Sequence, residues 1–379
     1  MNAGEEIAIT RVGATCSVGE TAPAVFAALC KGARSISPAP WEGKGPVGRT
    51  QDSSDSTLSS DLAIQVVQEA TAGMALPDQV AVVGATTSGD MRVGEEAWFR
   101  QQQGQPLAVP TDFLWRQLAH GITQKVCQHL GTTGVRLTVS TACTSGAVAI
   151  GLAADLIRSG RAPAALAVGT DALCKLTLHG FGALGALSAE AAQPFDTDRS
   201  GLNLGEGAAA LYLEPVHAAI AAGRTPLALL EGFGNTSDAH RLTAPDPTGD
   251  GARRAMVAAL GAVPRDTVSY VCAHGTATRL NDAMEQEAIG TVLPGADFSS
   301  IKGAVGHTLG AAGALEAVVA ILSLVHGQVP PNTGLTTPEP GPEPLSAGAP
   351  LQGDRTMSVN FAFGGHNTAL LFRRWEPSA

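Results

Sequence analysis

Aromatic side chains make up only 4% of this sequence, so its interior cannot rest on large rings. With 45 Gly and many Ala among 379 residues, the core must be built from small side chains that let helices and strands approach closely. Positive charge is also short: 24 Lys and Arg stand against 34 Asp and Glu, a net charge of -10. A nucleic-acid binder needs concentrated cations to neutralise phosphates, and no such run exists here. Long hydrophobic runs are scarce. The longest, Leu309 to Val325, contains Glu316 and several Gly and Ala, which favours a buried core helix over a membrane span. The opening residues, MNAGEEIAIT, lack the basic and apolar regions of a signal peptide, so cytoplasmic residence is the expectation. CxxC spacing is missing as well. The six cysteines (Cys16, Cys30, Cys127, Cys143, Cys174 and Cys272) are scattered, which speaks against a disulfide framework or a zinc site, and no metal is expected.

What is present is a regular alternation. The runs IAITRVGA, AVVGAT, RLTVSTAC, ALAVGTD and AALYLE, then LALLEGFG, VSYVCAHG, SIKGAVGH, MSVNFAFG and TALLFRRW, read as strands between helical stretches, an α/β pattern. Two segments rich in Pro, Gly or Ser, Ser37–Asp61 and Pro330–Pro350, read as loops over the body. TVSTACTSGAVAIGLAADLIRSG and SSIKGAVGHTLGAAGALEAVVAILSLVHG echo one another, each placing a strand, a sharp turn and a small-residue helix in succession. A duplicated fold with halves at 1–220 and 221–379 would produce this echo. It would bring Cys143 and His307 to the same edge of two half-sheets, where catalytic groups gather near helix N-termini.

Cys143 alone among the cysteines has a reactive setting: it follows an apolar strand and precedes TSGAVAIGLAADLI, so a helix dipole would stabilise its thiolate. His274, in VCAHGTAT, and His307, in KGAVGHTLGAAG, stand at strand-to-loop junctions beside glycines that permit close approach. Lys302 and Glu285 are charges in apolar, Gly-rich surroundings and are expected to pair. GFGALG, from Gly180 to Gly185, formally matches a dinucleotide fingerprint but lacks the flanking strand, helix and acidic ribose ligand, so a nicotinamide site is discounted.

Taken together, TACTSG, HGTAT, KGAVGHTLGAAG and NFAFGGHN, with VGATCSVGE, TTSGD and PFDTDRSGLNLGEGAA in order, resemble the elongating β-ketoacyl-acyl-carrier-protein synthases over nearly the whole chain. The resemblance implies a duplicated thiolase-like fold layered α-β-α-β-α. It implies that Cys143 takes an acyl chain from an acyl carrier protein, while His274 and His307 serve malonyl decarboxylation and Lys302 with Glu285 support them. The backbone N–H groups of Cys143 and Phe363 would form an oxyanion hole. Phe363 resembles the gating aromatic, Thr276, Thr278 and Thr243 the hydroxyls along the pantetheine arm, and Phe181 a substrate-binding ring. No cofactor is implied beyond substrates held on phosphopantetheine, and a homodimer or a heterodimer with a related subunit is the expected assembly.

The sequence departs from the housekeeping pattern. Arg11 and Ala362 stand where glycine is usual, the segment before Cys143 is shortened, and DALCKLTLHGFGAL is closer to ketosynthases of specialised pathways such as aryl polyene formation. AVPTDFLWRQLAHG, from Ala108 to Gly121, resembles the segment that crosses the dimer interface. Phe113 and Trp115 in it either shape the floor of the acyl pocket or pack the interface. A silent chain-length-factor subunit would typically lack the nucleophile. A thiolase would need a second, late catalytic Cys, whereas the last here is Cys272, and the starter-condensing synthases carry Asn where His307 stands. A noncatalytic carrier-protein scaffold would not require Cys143 at all.

Overall fold

The computed structural model describes residues 5–41, 45–50, 58–106, 109 and 111–377, so parts of the Ser37–Asp61 and Ala108–Gly121 segments lie outside the described residues. Ten strands form the main sheet: β1 (Ile7–Cys16), β2 (Ala81–Ala85), β3 (Arg136–Val139), β4 (Ala165–Asp171), β5 (Gly207–Pro215), β6 (Ala228–Ser237), β7 (Val268–Cys272), β8 (Asp297–Ser299), β9 (Arg355–Phe361) and β10 (His366–Arg373). Their spatial order is β3-β2-β4-β5-β1-β6-β10-β9-β7-β8. Counted from the centre outward, each half runs first, fifth, fourth, second, third strand. The directions repeat too: β2 is parallel to β3 and β4, as β7 is to β8 and β9, and the other pairs within each half are antiparallel. The echo in the sequence is therefore a repeat of topology. Between the halves, the named strands of the described residues pair through Ile7–Ile9 with Ala228–Leu230, and Leu204 forms an isolated bridge to His307.

The helices that matter for the site are α1 (Ala22–Cys30), α2 (Ser59–Thr71), α3 (Met91–Gln102), α4 (His120–Leu130), α5 (Ser145–Arg158), α6 (Lys175–Ala183), α7 (Asp250–Leu260), α8 (Arg279–Val292) and α9 (Ala312–His326). α2 and α4 cover the outer face of the first half-sheet through Leu62, Val66, Ile122 and Val126. α7 and α8 cover the outer face of the second through Ala255, Met256, Ala288 and Ile289. α5 and α9 lie between the two and pack on each other, which gives five layers, α-β-α-β-α. The apolar run at Leu309–Val325 is thus a core helix, as its Gly, Ala and Glu content indicates.

Small residues make this central layer possible. A Cβ on Gly146 would come within 2.6 Å of the Ala314 amide nitrogen, and one on Gly313 within 2.7 Å of the Ala147 nitrogen. The scarcity of aromatics is the compositional trace of that crossing. One expected strand is absent: SIKGAVGH pairs with nothing as a strand, because β8 ends at Ser299 and Lys302–Val305 forms a helical turn. Gly306 closes it at φ 79°, and Gly303 lies so close to the Thr333 carbonyl that a Cβ would meet it at 1.9 Å. This stretch is committed to close packing rather than to a ladder. Gly146→Val should cost about 1–3 kcal/mol through overpacking of the helix crossing, read as a lowered urea midpoint at unchanged m-value.

Candidate active site

β3 delivers the chain to the nucleophile. After Val139 the backbone turns sharply, with Ala142 in the left-handed region at φ 52°, so that Cys143 stands before α5. Such a conformation costs on the order of 1 kcal/mol for a residue with a Cβ and needs fixing from outside. Ser145 supplies this, because its Oγ accepts from the Thr141 N–H at 2.8 Å and donates to the Ala142 carbonyl at 2.6 Å.

The second half brings the histidines. His274 follows β7, and His307 follows the Lys302–Val305 turn rather than a strand. His307 Nε2 lies 3.0 Å from Cys143 Sγ, and the two imidazoles meet edge to face with centroids 5.2 Å apart. Backbone and lysine donors assign the tautomers. The Leu309 N–H donates to His307 Nδ1 at 3.1 Å, and the Lys302 ammonium lies 3.1 Å from His274 Nδ1. With Nδ1 accepting on each ring, a neutral imidazole carries its proton on Nε2. Burial, then the Lys302 charge, and for His274 also His307, hold both rings well below the ordinary histidine range. At neutral pH the site therefore holds two uncharged N–H donors.

Cys143 differs from the expectation of a dipole-stabilised thiolate. Burial pushes its thiol up to about 11, opposed by the Lys302 charge and by the backbone N–H groups of Phe363 and Cys143 itself. Desolvation of a residue only 6% exposed outweighs those favourable influences. The same two N–H groups are the ones the sequence assigns to an oxyanion hole, and they reach the sulfur.

Lys302 does not pair with Glu285. Its three donors are taken by His274 Nδ1, the His274 carbonyl and Glu316 Oε1, the last reached from α9. Glu285 instead accepts from the His274 N–H at 2.6 Å and the Gly275 N–H at 2.7 Å, with Asn281 Nδ2 at 3.1 Å. It shapes the HGT backbone, and burial followed by the neighbouring Asp282 pushes it up to about 8. Glu316 and Asn360 are functional positions that motif reading misses. Asn360 Nδ2 donates to Glu316 Oε2 and lies 3.4 Å from His274 Nδ1. A glutamate inside the most apolar run of the sequence is the signal that could have found them.

A cavity of about 340 Å³ opens onto these groups, lined among others by Cys143, His274, His307, Phe361 and Phe363. Thr243, Thr276, Thr278 and Phe181 all line it, and Thr276 and Thr278 share a 2.8 Å hydrogen bond. Phe181, on α6, stacks on Phe363 at 5.7 Å between centroids. Within the single chain neither Phe113 nor Trp115 lines this cavity, and Trp115 is 61% exposed. The physical reason is position: they lie on a one-turn helix that packs beside α3 and α4. Cys143, His274 and His307 also present ligand atoms within 4.8 Å of one another, a set that a soft divalent ion could bridge in competition with substrate.

A buried thiol facing two Nε2–H donors, one partner from each half of a duplicated α/β body, defines a thiol-dependent condensing enzyme. Residues 59–219 match the β-ketoacyl synthase N-terminal domain and residues 227–336 the C-terminal domain. The chain is 34% identical over 321 residues to a 3-oxoacyl-[acyl-carrier-protein] synthase 2 of Synechocystis, covering 79% of this chain and 76% of that protein. To the enzyme of the same name from Staphylococcus aureus strain COL it is 35% identical over 316 residues, with the same coverage. Among solved structures, it superposes on the ishigamide ketosynthase/chain length factor with a TM-score of 0.91 at 28% identity, covering 98% of this chain and 100% of that one. The ketosynthase ApeO in complex with its chain length factor ApeC, from Xenorhabdus doucetiae, gives 0.87 at 28% identity, with 98% of each chain covered. The protein belongs to the β-ketoacyl synthase family, acyltransferases of the condensing type.

The imidazoles act as neutral donors, so protonation of the rings should limit malonyl decarboxylation only well below pH 6.5. Lys302→Met removes a charge that lowers both rings. It should move that acidic limb to higher pH while cutting the plateau, in a rate profile measured as CO2 release.

Proposed function

We propose that the chain joins an acyl group carried on Cys143 to a malonyl unit carried on an acyl carrier protein, and that it serves a specialised type II pathway of the aryl polyene kind. The observation that carries the chemistry is the Cys143 sulfur 3.0 Å from His307 Nε2, with a ring nitrogen of His274 within 4.8 Å of both. In the first half-reaction the sulfur attacks the incoming thioester, the carbon–sulfur bond to pantetheine breaks, and the thiol proton passes to the departing pantetheine sulfur. The Cys143 and Phe363 N–H groups receive the charge on the carbonyl oxygen. In the second, the bond between the malonyl methylene and its carboxylate breaks and CO2 leaves. The electron pair collects on the thioester oxygen between His274 and His307. That enolate carbon attacks the acyl-Cys143 carbonyl, the carbon–sulfur bond to Cys143 breaks, and the departing sulfur keeps the electron pair and takes one proton from solvent to restore the thiol. Thr276, Thr278 and Thr243 offer hydroxyls along the arm. A chain-length-factor role is disfavoured because every group this sequence of steps needs is assembled.

The specialised pathway is supported by α6, where Phe181 stacks on the Phe363 ring and both line the cavity. Conjugated or aryl-capped chains would suit a wall of stacked rings. A second subunit of the same fold, identical or a chain length factor, would cover Trp98, Leu114, Trp115 and Leu118, which are all more than half exposed. Cysteines that are all free suit a reducing compartment, the cytoplasm.

The carrier would approach the mouth of the cavity, where Leu184, Leu280 and Arg279 line it and Leu242 and Arg241 stand exposed beside Thr243. Among the described residues neither guanidinium has a hydrogen bond or an ion pair, so both are free to meet the pantetheine phosphate and acidic side chains. Arg241→Glu with Arg279→Glu should raise KM for carrier-bound substrate about tenfold, two lost surface charge contacts of about 0.7 kcal/mol each, and leave KM for a short pantetheine thioester unchanged. Equal loss on both substrates would remove this docking face.

Mass spectrometry after incubation with acyl carrier proteins tests the central reading. Cys143→Ala should abolish acylation, whereas His274→Ala and His307→Ala should load acyl groups yet lose decarboxylation by about 100-fold or more. A stable acyl-enzyme formed by Cys143→Ala would overturn it. Competition between paired primers, read as kcat/KM, should favour unsaturated over saturated chains of equal length, and the reverse preference returns the enzyme to ordinary fatty-acid elongation.

A further inference from the structure

Asp171 closes β4 and is fully buried, and no ion-pair partner reaches it among the described residues. Six donors converge on its two oxygens. Oδ1 takes Thr86 Oγ1 at 2.7 Å and both donors of Ser88, at 3.0 and 2.7 Å. Oδ2 takes both donors of Thr87, at 2.9 and 2.6 Å, and the backbone N–H of Gly310 at 2.7 Å. Five of these contacts stay within the first half of the molecule. The sixth crosses to the second half, into the turn that follows His307.

That turn is strained. Leu309 has φ 52° with its side chain buried among Leu173, Leu178, Leu202 and Leu204. Gly310 admits no side chain, since a Cβ would meet Asp171 Oδ2 at 2.7 Å. Bending the backbone this way is what aims the Leu309 N–H at His307 Nδ1, 3.1 Å away. We propose that Asp171 is a positioning residue for the condensation: by gripping the Gly310 N–H it holds the Leu309 amide on His307 Nδ1 and so keeps the ring's proton on Nε2, facing Cys143. Without that grip the turn can relax to an unstrained φ, Nδ1 loses its donor, and the proton is free to move to Nδ1. His307 would then present a lone pair where an enolate needs a hydrogen bond. The proposal concerns a ring already placed beside the thiol, and its first readout does not depend on the substrate assigned above.

The experiment is 15N spectroscopy of histidine-labelled enzyme, with His307→Gln identifying the His307 signals. The wild-type ring should show a pyrrole-type Nε2 and a pyridine-type Nδ1. A wild-type ring protonated on Nδ1 overturns the proposal whatever any variant does. Asp171→Ser puts the Gly310 contact out of reach and should give a mixed tautomer signal at His307 and none at His274, with malonyl decarboxylation reduced about tenfold at unchanged KM. Thr86→Val, which removes an Oδ1 donor and keeps the Gly310 link, should lower stability and leave the His307 tautomer as in wild type. If Thr86→Val shifts the tautomer as much as Asp171→Ser does, or if Asp171→Ser lowers activity with the tautomer intact, Asp171 is only a structural anchor.

Discussion

Everything at the centre of this protein depends on one buried ammonium group. Lys302 reaches three acceptors at once, the Nδ1 and the carbonyl of His274 and the carboxylate of Glu316. A lone cation in such a place would be prohibitively expensive. Paired with Glu316 and fully hydrogen-bonded it is tolerated, and its field then acts on all the neighbours. It depresses both imidazoles, fixes the tautomer of one, and opposes the desolvation of the Cys143 sulfur. A surface lysine at the same distance would be screened by water and would accomplish none of this.

Keeping Lys302 dry requires a lid of helix on every side, and the central layer provides it. Glu316 sits one turn into α9, on a helix that touches α5 through Gly313, Ala314, Gly146 and Ala147. Larger residues at the crossing would push α9 away and lengthen the reach from Glu316 to Lys302. The chain's poverty in aromatics and its electrostatics are thus two sides of one arrangement. Glycine and alanine bring two helices close enough for a buried ion pair to form in the groove between elements.

Much of this is legible in the sequence. Alternating apolar runs give strands, the strand–turn–helix around Cys143 gives the nucleophile, and glycines beside His274 and His307 mark close approach. Four things are not legible, each for a physical reason. SIKGAVGH has the hydrophobic alternation of a strand, but Gly303 and Gly306 are there to let backbone meet backbone, which periodicity does not register. Lys302 and Glu285 read as partners because both are charges in apolar surroundings. Partner choice, however, is set by which acceptor the fold brings to the ammonium, and α9 brings Glu316. The thiol's protonation balances a helix terminus against burial, and only three-dimensional packing shows that burial prevails. Asp171 gives no signal at all, because a carboxylate at a strand end looks like any turn residue until its six donors are seen together.

The repeated topology has one more consequence. Cys143 precedes α5 in the first half and His307 precedes α9 in the second, at matching places in two copies of one unit. A pair of identical units would offer the same residue twice at this junction, two nucleophiles or two donors. Two unlike halves in a single polypeptide escape that symmetry. One carries the electron-rich partner and the other the electron-poor one, and each can be tuned without altering its counterpart.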